Sequence, residues 1–177
     1  MKLLHQLNDR EIPLCLLFNR INHWKPVSLF FAAVSRLGDG IFWYVLMLML
    51  PLIYGWPAAQ VSLHMGLVAL AGLTVYKLLK TSTGRVRPYS HNDDIFQNVA
   101  ALDQFSFPSG HTLHAVSFSL VLLHYYPEWA VLVIPFATLV ALSRVILGLH
   151  YPSDVLIGAL LGAGLAEGSI YLLPYLP

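Results

Sequence analysis

Residues 129–154 read WAVLVIPFATLVALSRVILGLHYPSD. From Trp129 to Leu149 the only formal charge is Arg144, so the segment matches the roughly 20 apolar residues that a helix needs to cross a hydrocarbon core. Trp129 stands at its start as an interface anchor. A cation inside such a span costs a few kcal/mol unless it is paired or faces a polar cavity, so Arg144 needs a partner. His150 lies at the following turn, and Asp154 sits four residues on, just inside the next helix after Pro152 and the cap Ser153. A carboxylate bonded to one imidazole nitrogen fixes the tautomer and leaves the other nitrogen free as a nucleophile. The segment therefore predicts an all-α integral-membrane helical bundle that carries chemistry at one of its faces.

Composition agrees over the rest of the chain. Of 177 residues, 57% are hydrophobic and 11% charged, a balance that suits helices turning Leu, Val and Ile into lipid and not a soluble domain. Residues 1–177 are read as a single membrane domain. The net charge of +1 excludes a nucleic-acid binder, which needs a basic stripe. Cys15 is the only cysteine, which excludes a disulfide framework or a cysteine-rich metal site within one chain. Asp9, Arg10 and Glu11 interrupt the first apolar run, so the N-terminus does not resemble a cleavable signal peptide.

Residues 1–25 read as an interfacial segment. Within it, residues 9–22 place Ile12, Leu16 and Phe18 among polar side chains, the pattern of an amphipathic helix at a membrane surface. Residues 26–37 are apolar but too short to span, and fit a half-helix or tilted lead-in. Clear spans follow at 39–56, 59–80, 111–126, 129–149 and 153–173, giving five crossings, or six if the lead-in crosses. Trp43, Trp56, Tyr125, Trp129 and Tyr171 lie near their ends as interface anchors. Gly55-Trp56-Pro57 and Tyr126-Pro127-Glu128 are tight turns, so the helices they join are antiparallel neighbours. Counting crossings puts the long polar connection 81–110, the start of the third span and the His150 turn on one membrane face.

That face collects three clusters across residues 80–154: Lys80 with Arg87-Pro88, Pro108-Ser109-Gly110-His111, and Ser143-Arg144 with His150 and Asp154. Each has an ordinary explanation alone: a lysine snorkels at a helix end, and serine caps a helix. Together they supply what phosphoryl transfer demands: fixed cations and helix-start amides for the equatorial oxygens, an in-line nucleophile, and an acid for the leaving group.

This pattern closely resembles the signature of the type 2 phosphatidic acid phosphatase (PAP2) family, with all three motifs in order and at the family's spacing. The resemblance implies that His150 attacks phosphorus to form a phosphohistidine, that Asp154 orients it, and that His111 protonates the leaving oxygen and then activates water. It implies that Lys80, Arg87, Ser109, Gly110 and Arg144 hold the phosphate, and that no metal or cofactor takes part. Its substrates are lipid phosphates or pyrophosphates, with undecaprenyl pyrophosphate, phosphatidylglycerophosphate, phosphatidic acid and lipid A as candidates. It implies a small bacterial inner-membrane protein whose site faces the periplasm. The convergence of the charged residues near the interface would let a lipid enter sideways between helices. The alternatives are a lipid phosphotransferase on the same frame, or a lipid-binding or transport protein in which Arg144 docks a charge.

The remaining polar residues are expected to matter less. His111, His114, His150 and Asp154 are a weak candidate for a metal site, because Arg87 and Arg144 would repel the ion. Instead, His114 is expected to face the cavity or bond a neighbouring helix. Asp93, Asp94 and Asp103 read as solvated loop charges, and Lys77 and Arg85 as additions to the phosphate field. Glu167, among Gly162, Gly164 and Gly168, suggests a buried hydrogen bond. His5, His23, His64, His91 and His124 have no spacing that singles them out.

Overall fold

A computed structural model describes the backbone of residues 2–173 and the side chains of residues 6–173; the His5 side chain and the two ends of the 1–177 domain lie outside what is described. The elements are α1 (Lys2–Asn19), a 3-10 turn (Arg20–His23), α2 (Lys25–Arg36), a π turn (Leu37–Ile41), α3 (Phe42–Tyr54) and α4 (Trp56–Thr83). There follow α5 (Pro88–His91), α6 (Gly110–Tyr125), a 3-10 turn (Pro127–Trp129), α7 (Ala130–Ile146) and α8 (Pro152–Leu172). The described residues contain no strand. Among the described residues four runs, Lys25–Tyr54, Trp56–His91, Pro127–Ile146 and Pro152–Leu172, are long and apolar enough to cross a membrane. The chain is an integral-membrane helical protein.

The helix α6 is the centre of the bundle. It packs against α4, α7 and α8, most extensively α8, and its Leu113, Ala115, Val121 and Leu122 are fully enclosed. In lipid, helices gain little from apolar burial as such and associate where small residues let backbones approach. Gly158 and Gly162 of α8 do this: a Cβ at Gly158 would lie 2.5 Å from the Ser109 carbonyl oxygen, and one at Gly162 would lie 2.3 Å from that of Leu113. The α6–α8 contact, between helices not adjacent in sequence, thus rests on two glycines one turn apart.

Several sequence expectations need correction. Residues 26–37 and 39–56 are not separate pieces but one 30-residue run, kinked at the π turn where Gly40 takes φ 135°. The span expected to reach residue 149 ends at Ile146, because Gly148 adopts the left-handed φ of 71° and turns the chain back. Trp43 is no interface anchor: it is 1% exposed and packs on Phe42, Phe118 and Phe136. Trp56 is exposed at the opposite end of the bundle, where Tyr54 stacks on Tyr126, donates to Glu128 and accepts from Trp129 Nε1. Glu167 is exposed and has no buried bond of the kind expected, because the face of α8 that turns inward is that of Gly158, Gly162 and Ala166.

The amphipathic helix α1 is longer than residues 9–22 and docks with the opposite polarity to the usual one. Asn8, Glu11, Cys15 and Asn19 face the protein, while Leu7, Leu14, Leu17 and Phe18 face outward. Its C-terminal end is fixed by Asn19, whose amide donates to the Phe96 and Ile146 carbonyls at 2.9 and 2.8 Å and accepts from the Phe96 N–H.

Candidate active site

Three helix ends and one turn meet beside α6. Residues Leu147–Tyr151 form the turn that Gly148 permits, in which the N–H groups of Leu149 and His150 both donate to the Arg144 carbonyl at 3.0 Å. His150 is thereby folded back over the end of α7, on the same side as Arg144. The Arg87 guanidinium donates to the Leu149 carbonyl at 2.7 Å, and its Nη1 stands 3.3 Å from His150 Nε2. The Ser109 N–H donates to the Asp154 carbonyl at 3.0 Å, which joins the start of α6 to the first turn of α8.

One cavity of about 650 Å³ is lined by Lys80, Arg87, Gly110, His111, Arg144 and His150, together with Asp39 and Asp103. It continues between α3 and α4 along Tyr44, Met47, Leu70 and Leu73. Lys80, Arg87, Arg144 and His150 are each no more than 6% exposed, yet all border this space. The Ser109 hydroxyl does not line it; it bonds the Thr112 hydroxyl at 2.9 Å and caps α6. Asp154 is fully buried behind His150, its Oδ2 3.7 Å from His150 Nδ1. His114 lines the cavity and stacks on Phe118. Among the described residues no three His, Cys, Asp or Glu side chains gather as metal ligands would.

Two carboxylates pair with groups that line this cavity. Asp103 takes Lys80 Nζ at 2.6 Å through both oxygens and Arg87 Nη2 at 2.8 Å, so it is not the solvated loop charge expected from its neighbours Asp93 and Asp94. Burial pushes the Asp103 carboxyl up, but the bond and charge of Lys80, then Arg87, outweigh it and hold it below the usual carboxylate range. Asp39, in the π turn, bonds His111 Nε2. An acidic residue between glycines in an apolar run was the available signal for Asp39, since lipid tolerates such a charge only where it is partnered. Ser35, on the preceding turn, accepts from Arg144 and provides the partner that the sequence demanded.

Burial, then the charges of Arg87 and Arg144, hold the His150 imidazole well below its ordinary value of 6.5, so it is the neutral base at pH 7. A neutral imidazole with Nε2 turned to a cation-lined cavity suits attack on an anionic phosphorus centre. Lys77 lines the cavity, but Arg85 does not: it turns behind His150 to Asp154.

A model of the PAP2 superfamily matches residues 61–176, which include every residue of the three motifs. The chain belongs to the PAP2 superfamily. Similar proteins include the lipid A 1-phosphatase of Rhizobium etli, 36% identical over 101 residues that make up 54% of this chain and 42% of that protein. The decaprenylphosphoryl-5-phosphoribose phosphatase of Mycobacterium tuberculosis is 38% identical over 100 residues, 55% of this chain and 53% of that one. The undecaprenyl-diphosphatase of Sulfolobus acidocaldarius is 34% identical over 89 residues, 50% and 43% of the two chains. The chain spans about half the length of the curated relatives it matches. The crystal structure of Aquifex aeolicus LpxE is similar with a TM-score of 0.73 and 25% identity, over 91% of this chain and 94% of that one. The fold is also that of the Bacillus subtilis phosphatidylglycerolphosphate phosphatase, with a TM-score of 0.70 and 24% identity over 97% and 87% of the two chains.

Within this PAP2 chain, the motif residues thus fall into two layers. Lys80, Arg87, Gly110, His111, Arg144 and His150 border the cavity, and Ser109 and Asp154 stand behind it.

Proposed function

We propose that this PAP2 protein is a membrane lipid phosphatase that hydrolyses a phosphate monoester or diphosphate carried on a long apolar tail. The observation that carries the reading is the single cavity in which His150 Nε2 lies beside Arg87 and faces Lys80, Arg144 and His111, and which runs on between α3 and α4 over apolar side chains. The phosphate sits among the cations, with the amides at the start of α6 as further donors, and the tail follows the apolar groove. The lone pair of His150 Nε2 attacks phosphorus as the P–O bond to the lipid breaks, and His111 gives that oxygen a proton. Water then attacks the phosphohistidine, His111 takes its proton, and inorganic phosphate leaves with His150 restored. No metal or cofactor is needed, because the three cations do the charge stabilisation. The names of the relatives support phosphorylated lipids as the substrate class, with polyprenyl diphosphates, phosphorylated glycerolipids and lipid A as candidates. A bacterial inner membrane with the site facing the periplasm fits such substrates.

The test is phosphate release from purified lipid phosphates by the purified protein and its His150→Ala variant, with and without excess chelator. Release by the wild type, unchanged by chelator and abolished in His150→Ala, is the expected outcome. Residual activity of the variant near the wild-type level would overturn the nucleophile, chelator loss restored by one divalent ion would overturn the metal-free chemistry, and phosphate appearing only on a second lipid would make the protein a transferase.

A further inference from the structure

Arg85 is 2% exposed, lies outside the cavity lining, and bonds four side chains. Its Nη1 donates to Asp154 Oδ1 at 2.6 Å and to the Ser153 hydroxyl at 2.7 Å. Its Nη2 faces Glu11 Oε1 at 3.2 Å, its Nε donates to Asn8 Oδ1 at 2.8 Å, and its guanidinium lies 4.0 Å over the Tyr151 ring. Glu11 closes the cluster by accepting from the Ser153 N–H at 3.0 Å through its other oxygen. Apart from the Asn8 bond, every branch of this network ends on the turn that carries His150 or on the first turn of α8.

The other Asp154 oxygen accepts from the Tyr151 N–H at 2.9 Å. The carboxylate is therefore held by two side chains, Arg85 and Ser106, and one amide, and His150 Nδ1, which has no hydrogen-bond partner among the described residues, stands 3.7 Å from it. A carboxylate fixed in this way can take up a hydrogen bond from Nδ1 as positive charge grows on the imidazole during attack, without itself swinging away. Two buried carboxylates beside one guanidinium persist only where geometry and further hydrogen bonds compensate them, and Asn8, Ser153 and the Tyr151 ring supply that.

We infer that Arg85, braced by Asn8 and Glu11 of α1, is a positioning residue for the nucleophile: it clamps Asp154 from the side away from His150 and makes the N-terminal helix a working part of the active site. The inference deepens the proposed function and rests on His150 being the nucleophile. Arg85 acts through Asp154 and does not touch the phosphate, so its removal slows chemistry without weakening substrate binding.

The experiment is single-turnover phosphate release from a lipid phosphate in detergent, with wild type, Arg85→Gln, Arg85→Lys, Glu11→Gln and His150→Ala. The rate constant reports only folded enzyme, and the amplitude reports how much of it there is. Arg85→Gln is expected to lower the rate constant about 100-fold at unchanged half-saturating substrate. Arg85→Lys is expected to recover part of the loss, and Glu11→Gln to lower the rate about 10-fold. A loss confined to amplitude, or a rate constant for Arg85→Gln within about twofold of wild type while His150→Ala is inactive, would overturn the inference and leave the proposed function standing. If Arg85→Gln yields no folded protein, Glu11→Gln decides, and a wild-type rate constant there overturns it. Wild-type turnover by His150→Ala would instead remove the nucleophile, and this inference with it.

Discussion

Gly158→Ala adds one methyl group at the closest approach of α8 to α6. Built on the existing backbone, the new Cβ lies 2.5 Å from the Ser109 carbonyl oxygen and 3.4 Å from Ser109 Cβ. Ordinary carbon–oxygen contact begins near 3.3 Å, so the helices must part by about 0.8 Å at this level. The obstacle is backbone and cannot rotate aside, which puts the strain at about 1–3 kcal/mol. Gly158 is one turn from Asp154, and the Ser109 N–H bonds the Asp154 carbonyl, so the displacement acts directly on the relation of His150 and Asp154 to Gly110 and His111. A misplacement of about 1 Å in a reacting geometry reduces rate about 100-fold. The expected result is therefore a kcat about 100-fold lower, with a reduced melting temperature in detergent. Gly164→Ala is the internal control: it is the same change on the same helix, but its Cβ meets nothing within 4 Å, and it should behave as wild type. Phosphate release per folded enzyme and thermal unfolding by circular dichroism measure both. A Gly158→Ala protein with wild-type kcat, or a loss equal in the two variants, would refute the link from the glycine contact to site geometry.

Further outcomes follow from the charges of the site. The folded state holds His150 neutral where the unfolded chain takes up a proton below 6.5, so this group withdraws stability as pH falls below that value. In nitrogen-edited NMR of labelled protein, the His150 ring should remain neutral at pH 6, and a ring titrating near 6.5 would show that burial and Arg87 do not set its state. With Lys80 and Arg87 holding the phosphate as proposed, Asp103 would compete for them, so Asp103→Asn should bind orthovanadate several-fold more tightly at low salt; weaker binding would mean that the carboxylate organises these cations instead of masking them.

The membrane class, the helical architecture and the motif residues were legible in the sequence, because each rests on a local rule. A 20-residue apolar run, a proline or glycine at a turn, and a buried cation in need of a partner read the same in any context. Helix boundaries were legible only where turn chemistry was local; the kink at Gly40 and the early end of α7 at Ile146 depend on backbone angles that the composition of the run does not reveal.

What the chain alone settled was its solvent, its helical class and the spacing of the groups fit for phosphoryl transfer. Only the tertiary structure decided which groups face one another. Asn8 and Glu11 reach Arg85 across more than 70 positions, Asp39 meets His111, and Asp103 lies on Lys80 and Arg87. The physical reason is the close approach of α6 and α8 at Gly158 and Gly162: a contact made by the absence of side chains carries no chemical label of its partner. Polar groups drawn into a low-dielectric interior then pair with whichever counter-charge the packing brings within reach, so those pairings follow from the fold.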